Sequence, residues 1–576
     1  MYLRTTSRRN ADGSTVRYVA LAHNHRVEGK TQAQVLLNLG REDRLDHDGL
    51  RRLVRSINRY LGEEPGSDAL SATGAPQSAG ETGLRLRESR PLGAVWLLDG
   101  LWKVLGVDQA LRGVLGSRRF TTDVERVLFA LVANRAVDPA SKLAAAQWAS
   151  CDAAVPGLEV MDEDHAYRAM DLLVEADAQA KVQEAVFFAV ADLLSLEVDV
   201  LFFDSTSTYF ERDTEESGDQ AFRRYGHSKD HRKDLPQIII GLAVTREGIP
   251  VRVWCWPGNT NDNTVIPQVK DDLCGWRLGR VVTVVDRGFS SDENLAYLRR
   301  AGGHFIAGER MRDGSADAAA ALSRPGRYQQ VRDNLRVKEV SLENTPGIRW
   351  VVCHNPEQAE KDKAAREDAI TRIGAELDRI STARARAKKT RTKSAAGKRK
   401  ATAEEAAHVR AECALRDHPA LGRWLRQTSS GRLLLDKRKT AAEAKLDGKY
   451  LLSTSDPHLS TEDVALGYKN LLEAERGFRD LKSTLELRPV FHRLEPRIRA
   501  HVLLCWLALL LIRVAERRTG LTWRTINREM TRLHAITLDG SAGSVVQTTE
   551  PTDAQVGILR ACGVALPPRV TAITPA

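Results

Sequence analysis

Two apolar stretches run into an aspartate. VVTVVDRGFSS (281–291) reaches Asp286, and about eighty residues earlier VDVLFFDSTSTYFE (198–211) reaches Asp204. A lone aspartate at a strand end is ordinarily a helix cap or a turn residue. Two of them, each behind a run apolar enough to be buried on both faces, can set a pair of carboxylates side by side at the edge of a sheet. Such a pair repels unless a cation lies between its members. Mg²⁺ prefers hard oxygen donors and takes only a few carboxylates, so a third acid is expected from a neighbouring helix. GYKNLLEAERGFRDLKSTLE (467–486) reads as that helix, with Leu471, Ala474, Phe478, Leu481 and Leu485 on one apolar face. Tyr468, Glu475 and Lys482, seven apart, form a stripe along its flank that Arg479 joins. Glu475 is the candidate third ligand. Taken by itself it is an ordinary surface glutamate with basic neighbours, an arrangement that contributes only tenths of a kcal/mol.

The elements that must position these acids follow from pattern. Between 196 and 310 the order is three short strong strands in meander, then helix, strand, helix, strand. That is the order of a ribonuclease H-like mixed sheet, in which the first strand is central and the fourth pairs beside it. The fold class expected is therefore α/β, a ribonuclease H-like core interrupted by an inserted α+β domain. The core's first part is 196–310, the insertion is 311–447, and the second part, with the glutamate helix, is 448–520. Ahead of it stand a small α+β unit (1–62), a Gly/Ser/Ala/Pro-rich linker (63–89) and a helical module (90–195) that could bind DNA or only pack; a tail region (521–576) follows.

Length and composition limit the partners. A chain of 576 residues is too long for one ordinary core, and three or four domains are expected. The net charge of +10 and pI near 9.2 favour an anionic partner. Nucleic acid is the better reading because the charge clusters: 384–400, RARAKKTRTKSAAGKRK, holds nine basic residues and no acid. Seven scattered cysteines without a C-x-x-C pair indicate neither a zinc site nor a disulfide framework, and they fit a reducing cytoplasm. The longest apolar run, VLLCWLALLLI (502–512), is too short to span a bilayer and reads as a buried core helix, so no membrane partner is expected.

Together these residues resemble the DDE transposases of bacterial insertion sequences, in the group marked by Tyr, two residues, Arg, three residues, Glu, six residues, Lys. Tyr468, Glu475 and Lys482 match at those spacings, whereas Leu471 stands at the signature's Arg. The phrases Asp204-x-Thr206, YGHSKDHRKDLPQIIIGL, PGNTND and VVDRGFSS are also similar to the family, over about 200–310 and 448–515. The acids lie 82 and 189 residues apart, the second gap being long enough for the family's insertion. The resemblance implies Asp204, Asp286 and Glu475 as catalytic metal ligands for Mg²⁺, with Mn²⁺ able to substitute. It implies Tyr468 and Lys482 as DNA contacts, with Arg476 or Arg479 in the role of the absent Arg. It further implies double-stranded DNA, both transposon ends and target, as substrate, a homodimer on that DNA, a hairpin on the excised end, and a cytoplasmic protein that joins the nucleoid when bound. Two other readings stay open: a ribonuclease H-like nuclease without strand transfer, and an inactive transposase-derived DNA-binding protein.

Overall fold

Aliphatic and β-branched residues in the first forty positions build three antiparallel strands, β1 (Tyr2–Arg9), β2 (Thr15–Val27) and β3 (Lys30–Arg41), in the order β1–β2–β3. The computed structural model describes residues 2–9, 15–27, 30–41, 84–116, 123–175, 178–196, 200–212, 214–218, 221–276, 281–312, 315–391 and 407–576. The later part of the small α+β unit expected at 1–62, most of the linker and the basic run beyond 391 lie outside those residues. Met1–Thr82 forms one compact unit and Gly83–Ala576 a second.

In the second unit a short strand, β4 (Arg85–Pro91), precedes helices that include Gly93–Val104, Val107–Leu115, Val124–Val137, Glu163–Glu175 and Ala178–Leu194. The main sheet then begins with an antiparallel meander: β5 (Val200–Tyr209), β6 (Gln237–Thr245) and β7 (Pro250–Pro257). β8 (Val282–Val285) and β9 (His304–Glu309) run parallel to β5 on its other side. The segment read as an insertion adds β10 (Gln329–Arg332), β11 (Leu335–Ser341) and β12 (Arg349–His354) to this same sheet. Its 36-residue helix, Pro356–Arg391, packs Ile373 and Ile380 with Leu415, Trp424 and a short hairpin, β13 (Leu425–Gln427) and β14 (Leu433–Leu435). β15 (Lys449–Thr454) then returns between β12 and β9, and the nine strands stand in the order β10–β11–β12–β15–β9–β8–β5–β6–β7.

The tail expected at 521–576 is ordered. β16 (His534–Gly540), β17 (Gly543–Thr548) and β18 (Val570–Pro575) form a second sheet whose remaining strand is β4, paired with β16. Residues 85–89, expected in the linker, are therefore sheet residues. The linker's composition hid them because a strand's partner can lie anywhere in the chain.

Strand periodicity divides the apolar residues between two cores. Val200, Phe202, Val282, Val284 and Ile306 belong to one, shared with the helices, while Leu201, Phe203, Val285, Phe305 and Ala307 belong to the other, with Val265, Ile266 and Val269 of the Asp262–Cys274 helix. The first core is filled chiefly by the Glu495–Thr519 helix, which contains the run 502–512. It is apolar and long enough to cross a membrane, but protein encloses it.

Two expectations about local structure are corrected. β5 does not end at Asp204: β6 hydrogen-bonds alongside it from Leu201 to Tyr209 and keeps the hydroxyl-rich run extended. The segment 467–486 is not one helix but two, Thr461–Lys469 and Leu472–Ser483. At Asn470 and Leu471 the backbone tightens, with Leu471 N–H donating to Tyr468 O and Ala474 N–H to Leu471 O. The apolar face survives the break, since Leu471, Ala474, Phe478, Leu481 and Leu485 are all buried.

Gly477 lets the second helix lie close on the sheet, because a methyl there would sit 2.8 Å from Leu242 Cδ2 on β6. Alanine at an exposed helical position would gain up to about 1 kcal/mol over glycine. Here Leu242 is fully buried and cannot step aside freely. Gly477→Ala is therefore expected to lower stability by roughly 1–3 kcal/mol in urea denaturation, the usual cost of overpacking.

Candidate active site

The last paired rung of β5 and β8 is Phe203 with Val285. Asp204 and Asp286 are the next residues of these two parallel strands, so they occupy neighbouring positions one step further on. Period two turns both towards the core that holds Phe202 and Val284, the face covered by the Leu472–Ser483 helix.

Around Asp204 the structure gathers charge. The Ser205 N–H donates to Asp204 Oδ1 at 2.7 Å, and Ser205 Oγ donates to Asp262 Oδ1 at 2.6 Å. Lys229 Nζ donates to the Ser205 carbonyl and Oγ, each at 2.8 Å, and lies 3.2 Å from Asp262 Oδ2. Burial pushes the Asp204 carboxyl up to about 6, and the nearby charges of Asp286 and Asp262 push the same way against Lys229 and the Ser205 N–H.

Asp286 has a different partner. The Tyr468 hydroxyl donates to Asp286 Oδ1 at 2.6 Å, and burial, then Asp286, raise the phenol's pKa. Tyr468 fits because residue 308 is glycine: a methyl there would lie 2.8 Å from Tyr468 Cζ. A cleft of about 990 Å³ opens beside this pair, lined by Asp286, Tyr468 and Glu475 and by the basic residues Arg287, Arg310, Arg312, Lys449 and Lys469. Glu309 also lines it, its carboxyl pushed up to about 7 by burial although Ser453 Oγ donates to it at 2.6 Å. Glu475 is exposed, and its carboxylate has no partner among the described residues.

The four residues expected at DNA part company. Tyr468 is half-buried on Asp286. Arg476 is exposed and lies 3.8 Å from Glu473 and 3.5 Å from Glu516. Arg479 is exposed, with no side-chain partner among the described residues. Lys482 is mostly buried: its Nζ donates to Thr206 Oγ1 at 2.7 Å and to Asp230 Oδ1 at 2.9 Å, and desolvation lowers its pKa. Lys229, Asp230 and Asp262 were given no role from sequence. Their signal was present, since they lie within the phrases YGHSKDHRKD and PGNTND.

Residues 197–511 match the family model of the transposase DDE domain, and residues 3–70 match that of the IS1634 family transposase N-terminal domain. The first match alone spans more than half of the chain. The chain belongs to the DDE transposases of insertion sequences. No curated protein matches it. A solved structure described as a cryo-EM piggyBac transposase synaptic complex with hairpin DNA is similar over 76% of this chain and 79% of that one, at 10% identity and a TM-score of 0.34, a likeness too distant to bear on the site.

In this DDE transposase the donors suit a hard divalent cation. Asp204, Asp286 and Asp262 concentrate negative charge, with Lys229 the opposing charge nearest Asp204, and Glu475 stands without a partner among the described residues at the same cleft as Asp286. The three acids do not converge on a single point: among the described residues no three carboxylates, histidines or cysteines are close enough to hold one ion. Tyr468 occupies one Asp286 oxygen, and the Asp204 carboxyl is partly protonated near pH 6.

That raised pKa has a sign. A carboxyl moved from 3.8 to about 6 makes the metal-free folded state bind more protons than the unfolded one between those values. Stability contributed by the protonated form is then lost as pH rises from about 4 to about 6. The loss should be on the order of 2–3 kcal/mol. In chelator, Asp204→Asn is expected to flatten this part of the pH–stability curve, and an unchanged slope would show that Asp204 does not titrate there.

Proposed function

We propose that Asp204, Asp286 and Glu475 are the catalytic metal ligands of a ribonuclease H-like transposase core that cleaves transposon-end DNA and joins it to target DNA. The observation that supports this most is the pair Asp204 and Asp286 in adjacent positions on one face of parallel strands, beneath the helix that carries Glu475. Asp204, whose carboxyl feels the charges of both Asp286 and Asp262, would hold the metal together with Asp286 and Glu475. Mg²⁺ held there, or Mn²⁺ in its place, would activate the oxygen nucleophile and offset charge on the phosphoryl and leaving oxygens.

The chain's own part is to bind and orient. Arg287, Arg310, Lys449 and Lys469 along the cleft, with the free Arg479, offer cations to backbone phosphates. Tyr468 holds the Asp286 carboxylate in one orientation while leaving its other oxygen open. Strand transfer by the freed 3′ hydroxyl needs no other residues than those used for cleavage, so one site serves both steps. Two copies on DNA, one for each transposon end, make the working form.

Asp204→Asn, Asp286→Asn and Glu475→Gln are each expected to reduce cleavage and joining at least about a thousandfold, since ligand loss removes several kcal/mol of transition-state stabilisation. DNA binding should largely survive. Cleavage without joining in the wild type would favour a nuclease instead. Mg²⁺ or Mn²⁺ should also raise the thermal midpoint, corresponding to about 2.7 kcal/mol at a hundredfold excess over Kd. Asp286→Asn should lose most of that rise, and a full rise in this variant would remove Asp286 from the site.

A further inference from the structure

The phrase YGHSKDHRKD forms a turn between β5 and β6 whose role the metal ligands leave unexplained. Its middle is fastened to β5, where the Lys229 N–H donates to Ser207 Oγ at 2.9 Å. His231, just beyond, adopts φ of +60°, a left-handed conformation uncommon for a non-glycine residue. The turn so held sends Lys229 to Ser205 and Asp262, on the face of β5 opposite Asp204, and Asp230 to Lys482 on the Asp204 face. Asp230 Oδ1 accepts from Lys482 Nζ at 2.9 Å, and Asp230 Oδ2 lies 2.9 Å from Arg488 Nη1, whose guanidinium covers the Tyr209 ring at the end of β5. Lys482 in turn donates to Thr206.

We propose that Asp230 is a positioning residue for Glu475: its carboxylate draws Lys482 onto Thr206 and so fixes where the Leu472–Ser483 helix lies along β5. Thr206 is two residues beyond Asp204 on the same face, roughly 7 Å along the strand. Lys482 is seven residues beyond Glu475 on the helix, roughly 10 Å along its axis. Tying Lys482 to Thr206 therefore sets how far Glu475 reaches back past Asp204 towards Asp286. Gly477, two residues after Glu475, lies against Leu242, which is the β6 partner of Asp204, so helix and strand are in step at both points. Lys482 is thereby spent inside the protein. Two of its three N–H donors are taken by Thr206 and Asp230.

This inference rests on Glu475 being a catalytic ligand, and its test separates the two. The probe is a fluorescent duplex carrying the element's end sequence, read for affinity across a salt series and for cleavage rate at saturating enzyme. Asp230→Asn and Lys482→Met are each expected to slow cleavage by roughly tenfold to a hundredfold while affinity and salt slope stay at wild-type values. The double variant should be no slower than either single one, and Asp230→Glu should recover most of the rate. If instead Lys482→Met weakens binding and lowers the salt slope by about 0.9, while Asp230→Asn tightens binding, Lys482 is a phosphate contact and the proposal is overturned. Should Asp230→Asn fail to fold with Lys482 and Arg488 uncompensated, Thr206→Val carries the test, since it removes only the anchor on β5. Wild-type cleavage rates in both Lys482→Met and Thr206→Val would also overturn it. Failure of the underlying reading shows elsewhere, as cleavage retained by Glu475→Gln.

Discussion

The structure depends on the parallel pairing of β5 with β8. Parallel neighbours in register keep equivalent side chains on one face, so once Phe203 stands opposite Val285 the next two residues must emerge together. Both are aspartates, and their proximity is a cost that the fold alone does not offset. Burial and mutual repulsion raise Asp204, a lysine is brought in from the following turn, and a tyrosine from a separate helix takes one oxygen of Asp286. Each is a local response to two like charges placed side by side by backbone geometry.

The helix that brings the third acid is fixed at several points. Its apolar face is sunk in the core, Gly477 allows close contact with β6, and Asp480 pairs at 2.6 Å with the buried Arg513 of the Glu495–Thr519 helix. With Lys482 held on Thr206 and Asp230, it is tied to the sheet and to the central helix together. Glu475 alone on this helix points a carboxylate into open space at the cleft. A rigid support under an unpartnered carboxylate suits a site that must close on something not part of the chain.

Much of this was legible in the sequence because it is encoded locally. Strand order around Asp204 and Asp286 follows from short runs of β-branched residues, and the buried face of the glutamate helix from three- and four-residue spacing. What was hidden depends on partners distant in the chain. That β5 continues past Asp204 is decided by β6, about thirty residues on. The break at Asn470 and Leu471 leaves the apolar spacing intact and so escapes a periodicity reading, although it separates Tyr468 from Glu475. Lys482 reads by spacing as a surface cation, and only the turn at Asp230 shows it to be mostly withdrawn from solvent. The pairing of β4 with the carboxy-terminal strands had no local signal at all.

That last pairing bears on how the protein is made. β4 leaves the ribosome some 440 residues before β16, to which it must bond. At about 5–20 residues per second the wait is roughly 20–90 s. An unpaired strand edge is ordinarily an invitation to other chains. The sequence of β4, RLRESRP, answers that hazard with three arginines, a glutamate and a final proline. These side chains keep the strand hydrated and averse to copies of itself for as long as synthesis takes, yet the complementary backbone of β16 can still claim it at the end.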